Sequence, residues 1–132
     1  MTFFNEVTAF AKENAGDEMK PYVAPLSNAL GHLQQASVWF MQNAVGKPDN
    51  AGAGSYDFMH LFGLVALGYM WAQIAKAALA QKKNGNGAGA RMDTKLVTGK
   101  FFMERMLPET AAHLARIQAG SGSVMELPAE AF

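Results

Sequence analysis

Apolar residues run almost unbroken from Phe58 to Ala75, interrupted only by His60 and Gln73 and closed at the two ends by Asp57 and Lys76. A helix that is hydrophobic on every side has to be surrounded, either by other helices or by lipid. A membrane span needs about 18 to 20 such residues, so this run reaches only the lower limit. The segments around it are amphipathic and suited to wrapping something apolar, so the pattern predicts a core helix rather than a span. Within the run Leu61, Val65, Gly68, Ala72, Ala75 and Leu79 form one stripe, and Phe58, Phe62 and Tyr69 form another. The small residues Gly63, Gly68 and Ala72 permit close approach of a neighbouring helix.

The flanking segments read as partners for that helix. Phe3, Val7 and Phe10 lie on one face of a first helix over 3–15, with Phe4 and Ala11 beside it; Thr2 is a candidate N-cap and Gly16 a candidate left-handed terminator. Asp17 offers a cap to a second helix, expected over 20–46. There Pro21 suits a first turn and Pro25 implies a kink or a later start. Leu26, Leu30, Leu33, Ser37, Phe40 and Ala44 then repeat at alternating spacings of four and three, an a/d-type seam. The glycine- and Asn/Asp-rich stretch 46–55 reads as a break, with Ser55 capping a central helix over 55–83 and Asp57 in its favourable first turn. Lys82 and Lys83 suit that helix's C-terminus.

A second glycine-rich break over 84–90 is expected to be mobile; it lacks the Gly-Lys-Ser/Thr ending of a phosphate loop, and no strand precedes it. Asp93 then caps a long helix over 92–119 that carries Leu96, Met103, Met106, Leu114 and Ile117, with Pro108 kinking it and Gly120 stopping it. Ser123 and Glu126 have capping-box spacing for a short turn over 123–127. No alternating strand pattern or internal repeat is visible. The expectation is an all-α fold: an up-and-down bundle of four to five helices in one domain around a buried central helix.

Composition narrows the function classes. The chain has no cysteine, which excludes disulfides and thiolate chemistry. Eleven acidic side chains balance eleven basic ones, which argues against a nucleic-acid footprint. No N-terminal stretch has the layout of a signal peptide, so the default compartment is the cytoplasm. His32, His60 and His113 fall on three different helices, and Glu109 stands one turn before His113. A di-iron bundle requires two Glu-x-x-His motifs with carboxylates on all four helices, and neither motif is here, so no metal is expected. No serine sits in a Gly-x-Ser-x-Gly elbow. The nine methionines and nine phenylalanines stand mainly at helical spacing, as packing residues do. Trp39 and Trp71 read as anchors of helix contacts. Lys95, Lys100, Arg105 and Arg116, with Glu104 and Glu109, read as a solvated face. By chemistry alone the chain is a binding or assembly module without catalytic, cofactor-binding or metal-ligating residues.

Tyr56, the core FGLVALGYMW of Phe62 to Trp71, Lys95-Leu96, Arg105-Met106-Leu107-Pro108-Glu109 and the Ala119-Gly120 ending together resemble the C-terminal helical extension of bacterial acyl-CoA dehydrogenases of the acetyl-CoA dehydrogenase-like and methylthiopropanoyl-CoA dehydrogenase-like group. The resemblance covers about Gly46 to Phe132, with Leu26 to Val45 fitting more loosely. It implies a parent flavoenzyme that oxidises the Cα–Cβ bond of an acyl-CoA: a glutamate removes the α-proton, FAD takes the β-hydride, and an electron-transferring flavoprotein reoxidises the flavin. Those parts lie upstream of such an extension, and no glutamate here matches the catalytic position. The chain alone is therefore expected to be inactive and to hold no FAD. Because 132 residues cannot contain the α-β-α body, the expectation is an excised domain or a separate small protein of that lineage. Its implied partners are the catalytic body of the parent enzyme and further copies in a homo-oligomer, with Phe3, Phe4, Phe10, Phe101 and Phe102 as candidate contact residues. The alternative from the residues themselves is a stand-alone helical module that binds an acyl or other apolar ligand near His60, Tyr69 and Trp71.

Overall fold

Helices α1 (Thr2–Glu13), α2 (Lys20–Asn43), α3 (Pro48–Lys83), α4 (Gly89–Phe101), α5 (Thr110–Gln118) and the short α6 (Gly122–Met125) follow one another in the computed structural model, which describes residues 1–85 and 89–132. No strand occurs among the described residues. The fold is all-α, and its helices pack around α3, which makes its most extensive contacts with α2, α5 and α4.

The central helix starts seven residues earlier than the glycine-rich pattern suggests. Pro48 sits in its first turn, where a missing N–H costs no bond, and Asp49 in the same turn complements the helix dipole. Gly54 is a packing residue rather than a breaker: a Cβ placed there would stand 2.7 Å from the Phe40 ring of α2. Ser55 does not cap the helix, because its hydroxyl donates back to the Gly52 carbonyl at 2.9 Å. The inward stripe of α3 is as the periodicity predicts. Leu61, Val65, Ala72 and Ala75 are buried against Leu26 and Leu33 of α2 and against Leu107, Leu114 and Ile117. A Cβ on Gly68 would already touch both Leu107 and Leu26.

α1 lies against the flank of α3. Phe3 stacks on Phe62 with ring centroids 5.1 Å apart, Phe10 meets Tyr69 edge-on at 5.3 Å, and Val7 between them is fully buried. In α2 the seam residues Leu26, Leu30 and Leu33 are buried, and the helix continues through Pro25.

The last long segment is not one α-helix. α4 passes into a π turn, Phe102–Met106, then a 3-10 turn, Leu107–Glu109, before α5 begins. The kink expected at Pro108 thus takes the form of a wide turn followed by a tight one, with Pro108 in the first turn of the new segment. Gly120, at φ 72°, ends α5. Just beyond it the Ser121 amide and hydroxyl both donate to Asn50 Oδ1, at 2.9 and 2.8 Å, tying this end to the start of α3.

Several expected caps are absent. Met1 precedes α1 and Thr2 lies within it, while Met19 and Ser121 precede α2 and α6 without side-chain cap bonds. Asp17 and Ser123 therefore cap nothing. Gly16 is not left-handed; among the described residues only Gly85 and Gly120 have positive φ. Asp93 lies inside α4 and pairs with Lys82 at the end of α3. The mobility expected over 84–90 falls in part on residues 86–88, outside the described residues.

Candidate functional site

Asp57 is the carboxylate that α3 carries into the protein. Its Oδ1 accepts a hydrogen bond of 2.7 Å from Arg116 Nε and stands 2.7 Å from His113 Nδ1, which donates to it in the tautomer that places the ring proton there. His113 and Arg116 lie one turn apart on α5, so the carboxylate clasps that helix to α3. Burial alone would push the Asp57 carboxyl up, but hydrogen bonds from His113 and Arg116 and the Arg116 charge outweigh it and hold the group below the usual carboxylate range. The Asp57 hydrogen bond raises the Arg116 guanidinium in turn.

The outer nitrogen of His113, Nε2, faces Glu109 Oε1 at 3.6 Å, and His60 stacks over the ring at 5.6 Å, followed by Tyr56 at 4.3 Å from His60. An Asp–His pair can orient a general base, but such a base must reach a nucleophile. Here the imidazole is almost fully buried and its free nitrogen looks at a carboxylate. That arrangement fastens helices. Among the described residues no group of three or more His, Asp or Glu side chains could hold a metal ion.

The remaining buried polar groups also join helices. The Tyr22 hydroxyl donates to the Leu96 carbonyl at 2.8 Å, and His32 Nδ1 lies 2.9 Å from the Thr110 hydroxyl. The Tyr69 hydroxyl donates to Glu6 at 3.0 Å, and burial raises the tyrosine, with the Glu6 bond adding to it. Every buried side-chain nitrogen or oxygen among the described residues has a partner.

The sequence-derived pocket residues occupy different contacts. His60 sits at the α5 edge between Tyr56 and His113, and Tyr69 packs under α1. Trp71 faces the close approach of α4 at Gly99, where an added Cβ would meet it at 3.4 Å. Open grooves lie elsewhere. One of about 480 Å³ runs beside Trp39 and the amides of Gln34, Gln35, Gln42 and Gln118; another of about 460 Å³ separates α1 from α2 beside Lys12.

The candidate contact phenylalanines also divide. Phe3, Phe4 and Phe10 are partly buried against the core and Phe102 is buried in it, whereas Phe101 is 58% exposed. Consecutive helical residues point about 100° apart, and at this place the core takes Phe102 and Met103 while Phe101 faces outward.

An exposed apolar row lies in the apolar run itself. α3 is hydrophobic on two opposite sides, and its neighbours cover one. Tyr56 and Met59 are each 63% exposed, Leu67 is 52% and Met70 46%, and Ile74 also reaches solvent. α3 is long and apolar enough to cross a membrane by length and composition, while its other side forms the core of the bundle.

A family model described as acetyl-CoA dehydrogenase C-terminal like matches residues 3–128. No curated protein matches the chain significantly.

Proposed function

The chain belongs to the acetyl-CoA dehydrogenase C-terminal-like family, and from that premise we propose that it packs on the catalytic body of an FAD-dependent acyl-CoA dehydrogenase and supports that enzyme's oligomer contacts. The observation that carries this reading is the uncovered apolar side of α3. Exposed apolar residues contiguous along a helix mark a macromolecular contact, and Tyr56, Met59, Leu67, Met70 and Ile74 are such a row.

In this reading the chain contributes shape and contact area, and the chemistry belongs to the body. FAD and the proton-abstracting carboxylate reside there, and an electron-transferring flavoprotein serves the assembled enzyme, in the cytoplasm. The engagement of Asp57, His113, His32 and Tyr69 in contacts between helices supports a structural rather than a catalytic part for this chain.

The test is to mix the chain with a separately expressed acyl-CoA dehydrogenase catalytic body and track both by sedimentation velocity. A joint boundary is the expected result. Two independent boundaries at micromolar concentrations of each would overturn the reading.

A further inference from the structure

The uncovered side of α3 is ordered by residue size. Tyr56, Met59, Gly63, Ala66, Leu67, Met70, Ile74 and Ala77 succeed one another at spacings of three and four, with one adjacent pair in the middle. A Cβ added to Gly63 would meet nothing within 4 Å, so the backbone there is open to close approach. No charge falls between Asp57 and Lys76, and Asp57 points inward.

The sizes are arranged about a centre between Ala66 and Leu67. Residues equidistant from it pair Ala66 with Leu67, Gly63 with Met70, Met59 with Ile74, and Tyr56 with Ala77. Three of the four pairs join a small residue to a large one, which is what an antiparallel copy of the same helix would offer, knob to gap. Opposed helix dipoles favour the same orientation.

Taking the α3 surface as the face that serves the oligomer contacts of the reading above, we propose that its occupant is the same surface of a second copy, packed antiparallel across a two-fold axis between Ala66 and Leu67. In a two-fold contact one patch meets itself, so the patch has to be self-complementary; a lipid surface or a dissimilar protein imposes no such pairing of sizes. The seam from Tyr56 to Ala77 is about 31 Å long at 1.5 Å per residue and about 10 Å wide, or roughly 300 Å² per copy. That is well below the ~800 Å² of a standard interface, so the pairing is reversible and concentration-dependent.

The chain has no cysteine, so introduced thiols report register directly. Met59→Cys and Ile74→Cys are made as separate proteins, then oxidised alone and mixed. In the proposed pair, position 59 of one copy lies beside position 74 of the other. Identical positions lie about 22 Å apart along the seam, beyond the ~7 Å reach of a disulfide. The expected result is a covalent dimer in the mixture and none from either protein alone. No cross-link in the mixture, equal cross-linking by each protein alone, or an equal yield with Gln35→Cys on α2 replacing Ile74→Cys would each overturn the proposal.

Sedimentation of the cysteine-free chain supplies the second readout. It should pass from monomer to dimer with concentration, and Leu67→Glu should weaken that association at least tenfold while leaving the thermal midpoint of the dilute monomer within a few degrees. If phosphatidylglycerol vesicles pellet the chain and abolish the mixed disulfide, lipid is the occupant and the proposal fails. Binding to the catalytic body without the mixed disulfide would remove the second copy and leave the docking reading intact. The mixed disulfide without binding to the body would do the reverse.

Discussion

Asp57 and His113 are 56 residues apart in sequence, and 2.7 Å separates the carboxylate of one from the imidazole of the other. This contact, with the Arg116 bond to the same oxygen, ties α5 to the central helix. Asp57→Ala should therefore cost about 1–3 kcal/mol, the penalty of leaving a buried donor without its acceptor. The expected observation is a lower urea midpoint with an unchanged slope. Arg116→Gln should cost less, because that side chain is half exposed. Equal losses in the two variants would mean that the guanidinium, not the imidazole, dominates the clasp.

The same carboxylate sets an acid limit. Its folded-state pKa is depressed, so the folded chain holds the Asp57 proton less tightly than the unfolded chain does. Its stabilising contribution is complete above the unfolded value of about 3.9 and is lost as pH falls through the lower, folded value. Thermal midpoints by circular dichroism from pH 6 to pH 2 should drop below about pH 4, and Asp57→Asn should flatten that drop. Tyr22 and Tyr69, both raised first by burial, act at the other extreme. They resist ionisation in the fold, so their contribution persists below about pH 10 and fades as pH rises through their folded values.

Two glycines within helices should respond in opposite directions to alanine. At Gly31 an added Cβ meets nothing within 4 Å, and the gain in helix propensity, about 1 kcal/mol, should appear as added stability. At Gly54 the methyl would press into the Phe40 ring, and overpacking of about 1–3 kcal/mol exceeds the propensity gain. Paired chemical denaturation curves decide this, and a stabilised Gly54→Ala would mean that Phe40 is free to move aside.

The adjacent phenylalanines offer a third contrast. Phe102→Ala should cost about 3–5 kcal/mol, as large-to-small changes in a packed core do. Phe101→Ala, at an exposed position, should stay within about 0.5 kcal/mol. Similar melting temperatures for the two variants would show that the π turn does not fix which ring points inward.

Periodicity makes part of this fold legible from the residues alone. The Leu61-Val65-Gly68-Ala72-Ala75 stripe and the Leu26-Leu30-Leu33 seam are readable because apolar spacing reports a buried face directly. The start of α3 is not, because Gly52, Gly54 and Asn50 look like punctuation until Phe40 is known to press on one and Ser121 to bond another. Pro48 before Asp49 is the available signal. Asp57 misleads for a related reason: near a supposed N-terminus it suits the helix dipole, and its real partners come from a distant segment. Glu109, His113 and Arg116 on one face of a helix are the hint that a carboxylate should lie opposite. The one-sided wrapping of α3 is beyond reach, since a run that is apolar all round does not say which half the chain itself will cover.

The π turn at Phe102–Met106 has a consequence for how this segment can change length. A wide turn holds one residue more than an α turn, and each residue rotates the helix beyond it by about 100°. The supernumerary residue sets the phase of α5, bringing His113, Leu114 and Ile117 onto the core and His113 onto Asp57. Deleting a residue between Phe102 and Met106 would rotate α5 by about 100° and carry those side chains off the core. Point substitutions are tolerable along this stretch wherever the side chain is exposed, but its residue count is not free to drift.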